Sequence, residues 1–445
     1  MDLLESARAV HAEGPVCDAC LGRVFADRSH GLGNADRGRA LRVTLAMLDD
    51  EPFEPADACW VCEGQAGRAD EWATWAANEL ADVAFETYQV GTRLSPLLEA
   101  NDELLREEAG LDPDAGESLK RELNREVGKR IGEMLGGDVD FERPDVVVLL
   151  DLEADRVRVQ VNPAFVYGRY RKLERGIPQT EWPCRECDGA GVTRDGEHCD
   201  HCDGTGYMYE VSVESLVAPA IREAMGGSNA TFHGAGREDV DALMVGTGRP
   251  FVVEVDNPRD RFPDVAALEA EVNERAAGRA EVEGLALATY EMVERVKELP
   301  ATKTYRASVR FAGPVEAAGL EDALASLSGA TIEQRTPERV SHRRADKVRT
   351  REVFSIEGEL DGGSADDGER EEASPEDDGR TATVTVHGEG GLYIKELLHG
   401  DDGRTEPSLA GLLGLDVEVT ALDVVAVEAE EGDFADPAFL LSAPT

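Results

Sequence analysis

Positive charge is scarce in this chain of 445 residues, where 46 Lys and Arg face 92 Asp and Glu for a formal net charge of −46. A surface this negative argues against ordinary nucleic-acid binding, because phosphates need basic partners. The acidic excess is nevertheless spread along the whole chain, with Asp and Glu far outnumbering Lys. That is the composition of a protein solvated in very concentrated salt, as inside haloarchaea, where the Debye length is about 3 Å or less and distant repulsion hardly acts. The basic clusters that persist against this drift therefore carry information. The competing reading is an acidic protein that seeks a basic partner. Long apolar runs are missing too. None approaches the roughly 18 residues a membrane span needs, and Met1-Asp-Leu-Leu-Glu5 lacks a basic leader segment. Neither a membrane protein nor a secreted one is expected, and the expected location is cytoplasmic. Aromatics make up only 5%, yet 41% hydrophobic residues are enough for a substantial core and exclude wholesale disorder. There is no Walker-type loop and no Gly-x-Gly-x-x-Gly after a strand, so no nucleotide or redox cofactor is expected.

Cysteines are few, but all eight fall into Cys-x-x-Cys pairs. Cys17/Cys20 and Cys59/Cys62 are separated by 38 residues, Cys184/Cys187 and Cys199/Cys202 by 11. Two such knuckles can close one tetrahedral four-thiolate site, so the expectation is two structural Zn²⁺ ions, neither catalytic. The second set repeats one unit, Cys-x-x-Cys-x-Gly-x-Gly, at Cys184 to Gly191 and at Cys199 to Gly206. It resembles the zinc-binding repeat of DnaJ-type chaperones. Disulfides are the alternative, with no sign of an oxidising compartment to favour them.

Periodicity organises the rest. Glu117 to Leu135 predicts a helix on which Lys120, Arg121, Arg125, Lys129 and Arg130 make a basic face. Pro144 to Asp151 reads as a buried strand and Arg156 to Val161 as an alternating one. Val166 to Lys172 mixes aromatics with Arg169, Arg171 and Lys172. From Val211 onward, helices near 211–225, 264–277, 315–328 and 392–399 alternate with strands near 249–255, 281–289, 304–312, 351–359, 381–387 and 416–427. This predicts a mixed sheet covered by helices on one face. Gly362 to Gly379, almost wholly Asp, Glu, Gly and Ser, predicts a disordered acidic loop. Between Arg335 and Arg351 seven Lys or Arg, among them Arg343, Arg344 and Lys347, stand against two acids. In so acidic a chain that run favours phosphate contact over a solvated face.

The richest stretch is His233-Gly-Ala-Gly-Arg237-Glu-Asp239-Val-Asp241, followed by Gly246-Thr-Gly-Arg249-Pro-Phe251 and an apolar strand to Val255. Glycines let backbone approach a bulky ligand, and an Arg–Asp pair keeps a carboxylate ionised. Taken alone it could equally be a charged turn. With Lys303-Thr-Tyr305-Arg306 and Gly390-Gly-Leu-Tyr393-Ile-Lys395-Glu-Leu397-Leu, then His399 to Ser408, it resembles the archaeal and eukaryotic tRNA pseudouridine synthases of the TΨC arm. That family carries a THUMP domain, which the 66–180 region resembles around Leu123 to Gly128.

The resemblance implies an α+β (mixed α/β) multidomain chain. Its parts are a zinc-stapled region 1–65, a THUMP-like RNA-binding domain 66–180 and a four-cysteine insertion 181–210. A catalytic domain with a mixed, largely antiparallel sheet follows over 211–445. It implies isomerisation of uridines 54 and 55 of tRNA, with Asp239 as nucleophile and Arg237 orienting it and filling the space of the flipped base. Tyr305 and Tyr393 would contact the uracil, with Leu397 as an apolar wall and Lys395 or Arg404 facing the aspartate or a phosphate. tRNA is the expected partner, and no membrane or obligatory protein partner is implied. The rival readings are a non-catalytic zinc-stapled RNA-binding or chaperone-like module, and another THUMP-bearing enzyme such as a methyltransferase, for which no cofactor loop is found.

Overall fold

The structure, a computed structural model, describes residues 2–56, 58–341, 345–361 and 379–441, and the chain divides into two compact units. The expected acidic loop therefore lies, apart from Gly379, outside the described residues, as do Arg343 and Arg344.

The first unit, 1–163 with 256–261, contains α1 (Leu3–Ala12), α2 (Asp18–Arg23), α3 (Asn34–Asp49), α4 (Ala69–Glu79), β1 (Thr87–Arg93), α5 (Pro96–Glu108), α6 (Leu119–Leu135), β2 (Asp138–Val139), β3 (Val146–Asp151) and β4 (Arg156–Val161). Its sheet runs β2-β1-β3-β4, parallel except for the β3–β4 hairpin. The predicted long helix forms because Ser118 caps it, accepting from the Arg121 amide at 3.3 Å. Leu119, Leu123, Val127 and Ile131 then recur at four-residue steps on one buried face. That face shares a core with Val146, Val148 and Leu150 of β3, Trp72 of α4 and the first cysteines. The basic face is largely neutralised: Arg125 pairs with Glu117 at 2.8 Å, Arg130 with Asp70, and Lys129 lies 3.7 Å from Glu126.

The second unit, 164–255 with 262–445, contains β5 (Ala164–Lys172), α7 (Val213–Ala224), β6 (Asn229–Gly234), β7 (Leu243–Asp256), α8 (Val265–Ala276), β8 (Ala280–Ala288), α9 (Glu291–Glu298), β9 (Ala301–Phe311), α10 (Ala317–Leu327), β10 (Thr331–Arg335), β11 (Val348–Leu360), β12 (Thr381–Gly388), α11 (Ile394–His399), β13 (Thr405–Glu406), α12 (Leu409–Leu413) and β14 (Val417–Ala429). The sheet order is β13-β10-β11-β12-β9-β14-β7-β5-β8, with β6 pairing β7. Its pairs are antiparallel except β14–β7, the join between its halves, so the sheet is mixed and largely antiparallel as expected. Each half has its own apolar core, and Tyr305 packs against both.

The strand 166–172, expected within the RNA-binding domain, belongs instead to this larger sheet. It lies between β7 and β8, and Val166, Tyr167 and Tyr170 are buried, as befits an interior strand rather than an RNA-facing one. Periodicity does not announce β6, α9, β10 or α12, which are short or too polar for a clear period. No described helix is long and apolar enough to cross a membrane.

Candidate active site

Residues 235–242 link β6 to the neighbouring β7, so the loop that carries Asp239 crosses the end of two paired strands. Parallel pairing sets Val424 of β14 against Met244, and antiparallel pairing sets Tyr305 of β9 against the same Val424. The loop is thereby held near Tyr305. Underneath it lies a carboxylate that the sequence reading passed over. Glu238 is buried and accepts from Arg249 Nε and Tyr170 Oη, each at 2.9 Å. Arg249, 1% exposed, also donates to the Ala235 carbonyl at 2.8 Å. Lys172 is wholly buried, and its Nζ donates to the carbonyls of Ile177 (2.8 Å), Asp239 (3.0 Å) and Val240 (3.3 Å). Gln179 closes the ring, donating to Tyr170 Oη at 2.8 Å and the Gly236 carbonyl at 2.9 Å. Burial pushes the Lys172 amine below the usual lysine range, with the Arg249 charge adding to it and Glu238 opposing. The loop is thus fixed by buried ions, which are expensive to leave unpaired and so hold one geometry.

Asp239 itself is half-buried and meets two cations. Lys395 Nζ lies 3.5 Å from its Oδ2 and 3.0 Å from Asp241 Oδ2. Arg339 Nη1 lies 3.4 Å from the same Asp239 oxygen, while its Nε donates at 2.7 Å to Glu396, a carboxylate 1% exposed. Burial opposes ionisation of Asp241, but the hydrogen bond and charge of Lys395 hold its carboxyl below the usual range. Tyr305 is half-buried, and its phenol is pushed up to about 12, chiefly by burial, so it keeps its proton at neutral pH. Gln334 clamps the Tyr393 backbone from both sides, accepting from its amide at 2.8 Å and donating to its carbonyl at 2.9 Å. The Arg349 guanidinium lies 6.0 Å from the Tyr393 ring centre.

Several expectations are corrected here. Arg237 is exposed with its guanidinium 5.9 Å from the Trp182 ring centre, and the cations that stand beside the aspartate are Arg339 and Lys395. Leu397 is fully buried in the sheet core and forms no open wall. Arg404 is held by the Thr336 carbonyl at 2.6 Å, leaving the aspartate to Lys395. The basic strand segment is not a phosphate surface. Arg169 donates to the Thr247, Gly248 and Val427 carbonyls, Arg171 pairs with Glu281 and Glu283, and Lys172 is internal. In the 335–351 run, Arg335 pairs with Asp346 and Arg351 with Glu389, while Lys347 is exposed and its amine pairs with no described residue.

Both cysteine sets come together, each with four Sγ atoms within 4.8 Å of one another and all thiols free. The shortest contacts, Cys17–Cys62 and Cys187–Cys202 at 3.7 Å, match the edge of roughly 3.8 Å that sulfurs 2.3 Å from one tetrahedral ion would span. In the second set the Gly191 and Gly206 amides donate to Cys187 and Cys202 Sγ at 3.2 and 3.3 Å. Both glycines have positive φ, and a Cβ on either would lie 2.4 Å from a carbonyl of the opposite knuckle, which is why the repeat keeps glycine there. Each quartet can therefore hold a metal ion.

Comparison with known proteins agrees with this geometry. The family model described as "Pus10, C-terminal" matches residues 165–428, and "Pus10 THUMP domain, archaeal" matches 72–151. The protein named tRNA pseudouridine synthase Pus10 of Halorubrum lacusprofundi is 58% identical over 98% of both chains. Its counterpart from Methanothrix thermoacetophila is 44% identical, over 96% of this chain and 94% of that one. Among solved structures, a chain of "Crystal Structure of a Cbf5-Nop10-Gar1 Complex" is similar over 48% of this chain and 46% of that one, at 21% identity and a TM-score of 0.28. That distant likeness leaves the assignment to the sequence relatives. A buried-ion loop presenting one aspartate beside a tyrosine, two four-thiol clusters and a match over nearly the full length together mean that this chain belongs to the Pus10 family.

Proposed function

We propose that this protein is a tRNA pseudouridine synthase that isomerises uridines 54 and 55 of the TΨC arm, with Asp239 as the nucleophile. The observation that carries the reading is the Asp239 carboxylate flanked by Lys395 and Arg339 at 3.5 and 3.4 Å, on a loop anchored through Glu238. Two nearby cations aim the carboxylate and hold it in place for nucleophilic attack. The target base has to leave the stack, which needs an apolar or aromatic face to receive it, and Tyr305 supplies that face. Because burial keeps its phenol protonated, we assign Tyr305 stacking and hydrogen bonding, not the removal of a proton as a resting phenolate.

The reaction is an isomerisation. The N1–C1′ bond breaks, uracil turns, and a C5–C1′ bond forms while the C5 proton is lost and N1 gains one. Asp239 attack at ribose C1′ or at base C6 both lead to this product. Positions 54 and 55 are supported by the likeness of the 232–254 and 390–409 segments to the TΨC-arm synthases, and the THUMP match supports a tRNA partner and, with it, the reading of a cytoplasmic location. For the two cysteine quartets we infer structural Zn²⁺, which tetrahedral thiolate sites favour. The zinc would supply folding energy and no chemistry at the uridine.

The test is incubation with an unmodified tRNA transcript in molar KCl, followed by mapping of pseudouridine. Asp239→Ala is expected to abolish product while tRNA affinity stays near wild type. Product from Asp239→Ala at the wild-type rate would sink the mechanism. An inactive Asp241→Ala beside an active Asp239→Ala would move the nucleophile to Asp241.

A further inference from the structure

The three segments that carry Asp239, Tyr305 and Lys395 share more than those side chains. Each also gives a wall to one cavity of about 270 Å³: Ala235 and Gly236 from the loop, Lys303 from β9, and Glu389 and Gly390 from the turn before α11. Lys303 precedes Tyr305 by two residues, so both lie on the same face of β9. Gly236 has φ +76°, and a Cβ built there would lie 3.4 Å from Lys303 Nζ and 3.3 Å from Arg249 Nη1. The glycine thus leaves open a surface that faces two cations. Arg249 is satisfied by Glu238 and Ala235, but the Lys303 amine makes no hydrogen bond or ion pair with any described residue. Of the acids on the rim, Glu389 is taken by Arg351 at 3.1 Å. In a chain of charge −46, an ammonium half-buried beside this loop, with no ion-pair partner among the described residues, is suited to receive an anion.

We propose that this cavity is a subsite for one phosphodiester of the substrate RNA next to the target uridine, with Lys303 as its contact. The proposal rests on the pseudouridine-synthase reading above, which supplies the anionic substrate. A charged donor on a phosphate oxygen is worth more than a neutral one, the more so where water is partly excluded. Its place beside the loop, and not on the outer surface, means it would set the register of the strand as the base is drawn out. Lys303 is also tuned. Burial pushes its amine down to about 8, with the Arg249 charge adding to the effect and Glu238 opposing it. The other charged groups around the cavity are Lys297 on α9, Glu430 beyond β14, and the Glu389–Arg351 pair.

The experiment uses the full-length, metal-loaded protein and tRNA assembled with a single neutral methylphosphonate at each linkage flanking the modified uridine in turn. Lys303→Gln is expected to raise KM about tenfold with kcat within about twofold, and Lys303→Arg to restore KM, as loss and return of one charge-assisted contact would. At one linkage the methylphosphonate should cost wild type a similar factor and cost Lys303→Gln nothing further. In wild type KM should rise as pH passes about 8 and Lys303 loses its proton, whereas Lys303→Arg stays flat. An active wild type with an unchanged Lys303→Gln, or equal added losses at every linkage in both proteins, overturns the subsite alone. A wild type that forms no pseudouridine in tRNA overturns the reading beneath it and the subsite with it.

Discussion

Among the described residues each unit buries one arginine to 1% exposure or less, Arg23 in the first and Arg249 in the second, and the two have different electrostatic surroundings. In the first unit Arg23 donates to Cys20 Sγ at 2.8 Å and to Asp102 at 3.0 Å, with Glu122 3.5 Å away. Arg106, also buried, adds a second cation to Asp102 at 3.3 Å, so two arginines face two carboxylates and a cluster of thiols, and burial raises the Glu122 carboxyl above its ordinary range in spite of Arg23. In the second unit Glu238 stands alone against Arg249 and Lys172, with Lys303 nearby, and both lysine amines are pushed down by burial. Buried charge that is not balanced internally has to be balanced from outside. A quartet of thiols suits a metal cation, and a surplus of ammonium suits a phosphate. The same device, an arginine sunk in a core, thus braces a thiol quartet in one unit and the loop that carries Asp239 in the other.

The largest effect should come from taking the metal away. Elemental analysis of protein purified without chelator should give two zinc ions per chain. Stripping them should cost on the order of 10 kcal/mol at a site whose folding depends on the ion. The two quartets should respond differently. Cys20 belongs to the core that includes Trp72 and Leu105, so Cys20→Ser should unfold the first unit. Cys184, Cys187, Cys199 and Cys202 form a small cluster of their own, with Met208 packed on it, so Cys187→Ser should loosen residues near 181–208 and leave the catalytic sheet folded. Hydrogen exchange on both variants decides the point. Equal protection losses in the two would remove the distinction, and a zinc content near zero with no free thiols would replace metal by disulfides.

Next come the arginines themselves. Arg23→Met leaves Glu122 without its cation and Asp102 with Arg106 alone at 3.3 Å, and should cost about 3–5 kcal/mol in a guanidinium melt of the first unit. Arg249→Met should cost less, about 2–3 kcal/mol, because Glu238 still accepts from Tyr170 and keeps Lys172 at 3.8 Å. The second variant should lose pseudouridine formation well below its melting temperature while still binding tRNA, since the loop is freed before the sheet unfolds. A stable but fully active Arg249→Met would show that the loop holds without its buried ion.

How far the sequence announced all this depends on the range of the interaction. The paired cysteine knuckles and the helix over 117–135 were legible because each rests on spacing within one segment, whereas Tyr305 and Lys395 were singled out only by the family resemblance. Arg339 was read as a phosphate contact of its basic run, and only the folded chain shows it bridging Glu396 and Asp239, 57 and 100 residues distant. Glu238 was passed over because charged residues in glycine loops are normally exposed. Lys172 was a missed signal. Alternation puts it on the face of Val166 and Tyr170, both buried, and two-residue periodicity alone would have placed its amine inside. Arg169 and Arg171 share the opposite face, where neighbouring carbonyls and Glu281 and Glu283 consume their charge.

The smallest expected effect is a slope in stability with pH, and it tests the sign of the surplus in the second unit. The Lys303 amine titrates near 8 in the folded protein, against about 10.4 for an unfolded lysine. Below pH 8 the side chain is protonated in both states, and the folded protein carries the full cost of a poorly solvated charge. Between about 8 and 10.4 the folded state has released that proton while the unfolded chain still binds it, so stability should rise with pH across this window. Above it the slope ends. Lys303→Met removes the group and should lack that rise, so the variant gains most on wild type below pH 8 and the gap closes toward pH 10. Melts of both proteins in molar KCl at matched pH give the difference directly, with other titrating groups cancelling between them. A gap that is constant with pH would mean the ammonium is as well solvated inside as out, and the cavity would then hold no uncompensated cation for a phosphate to meet.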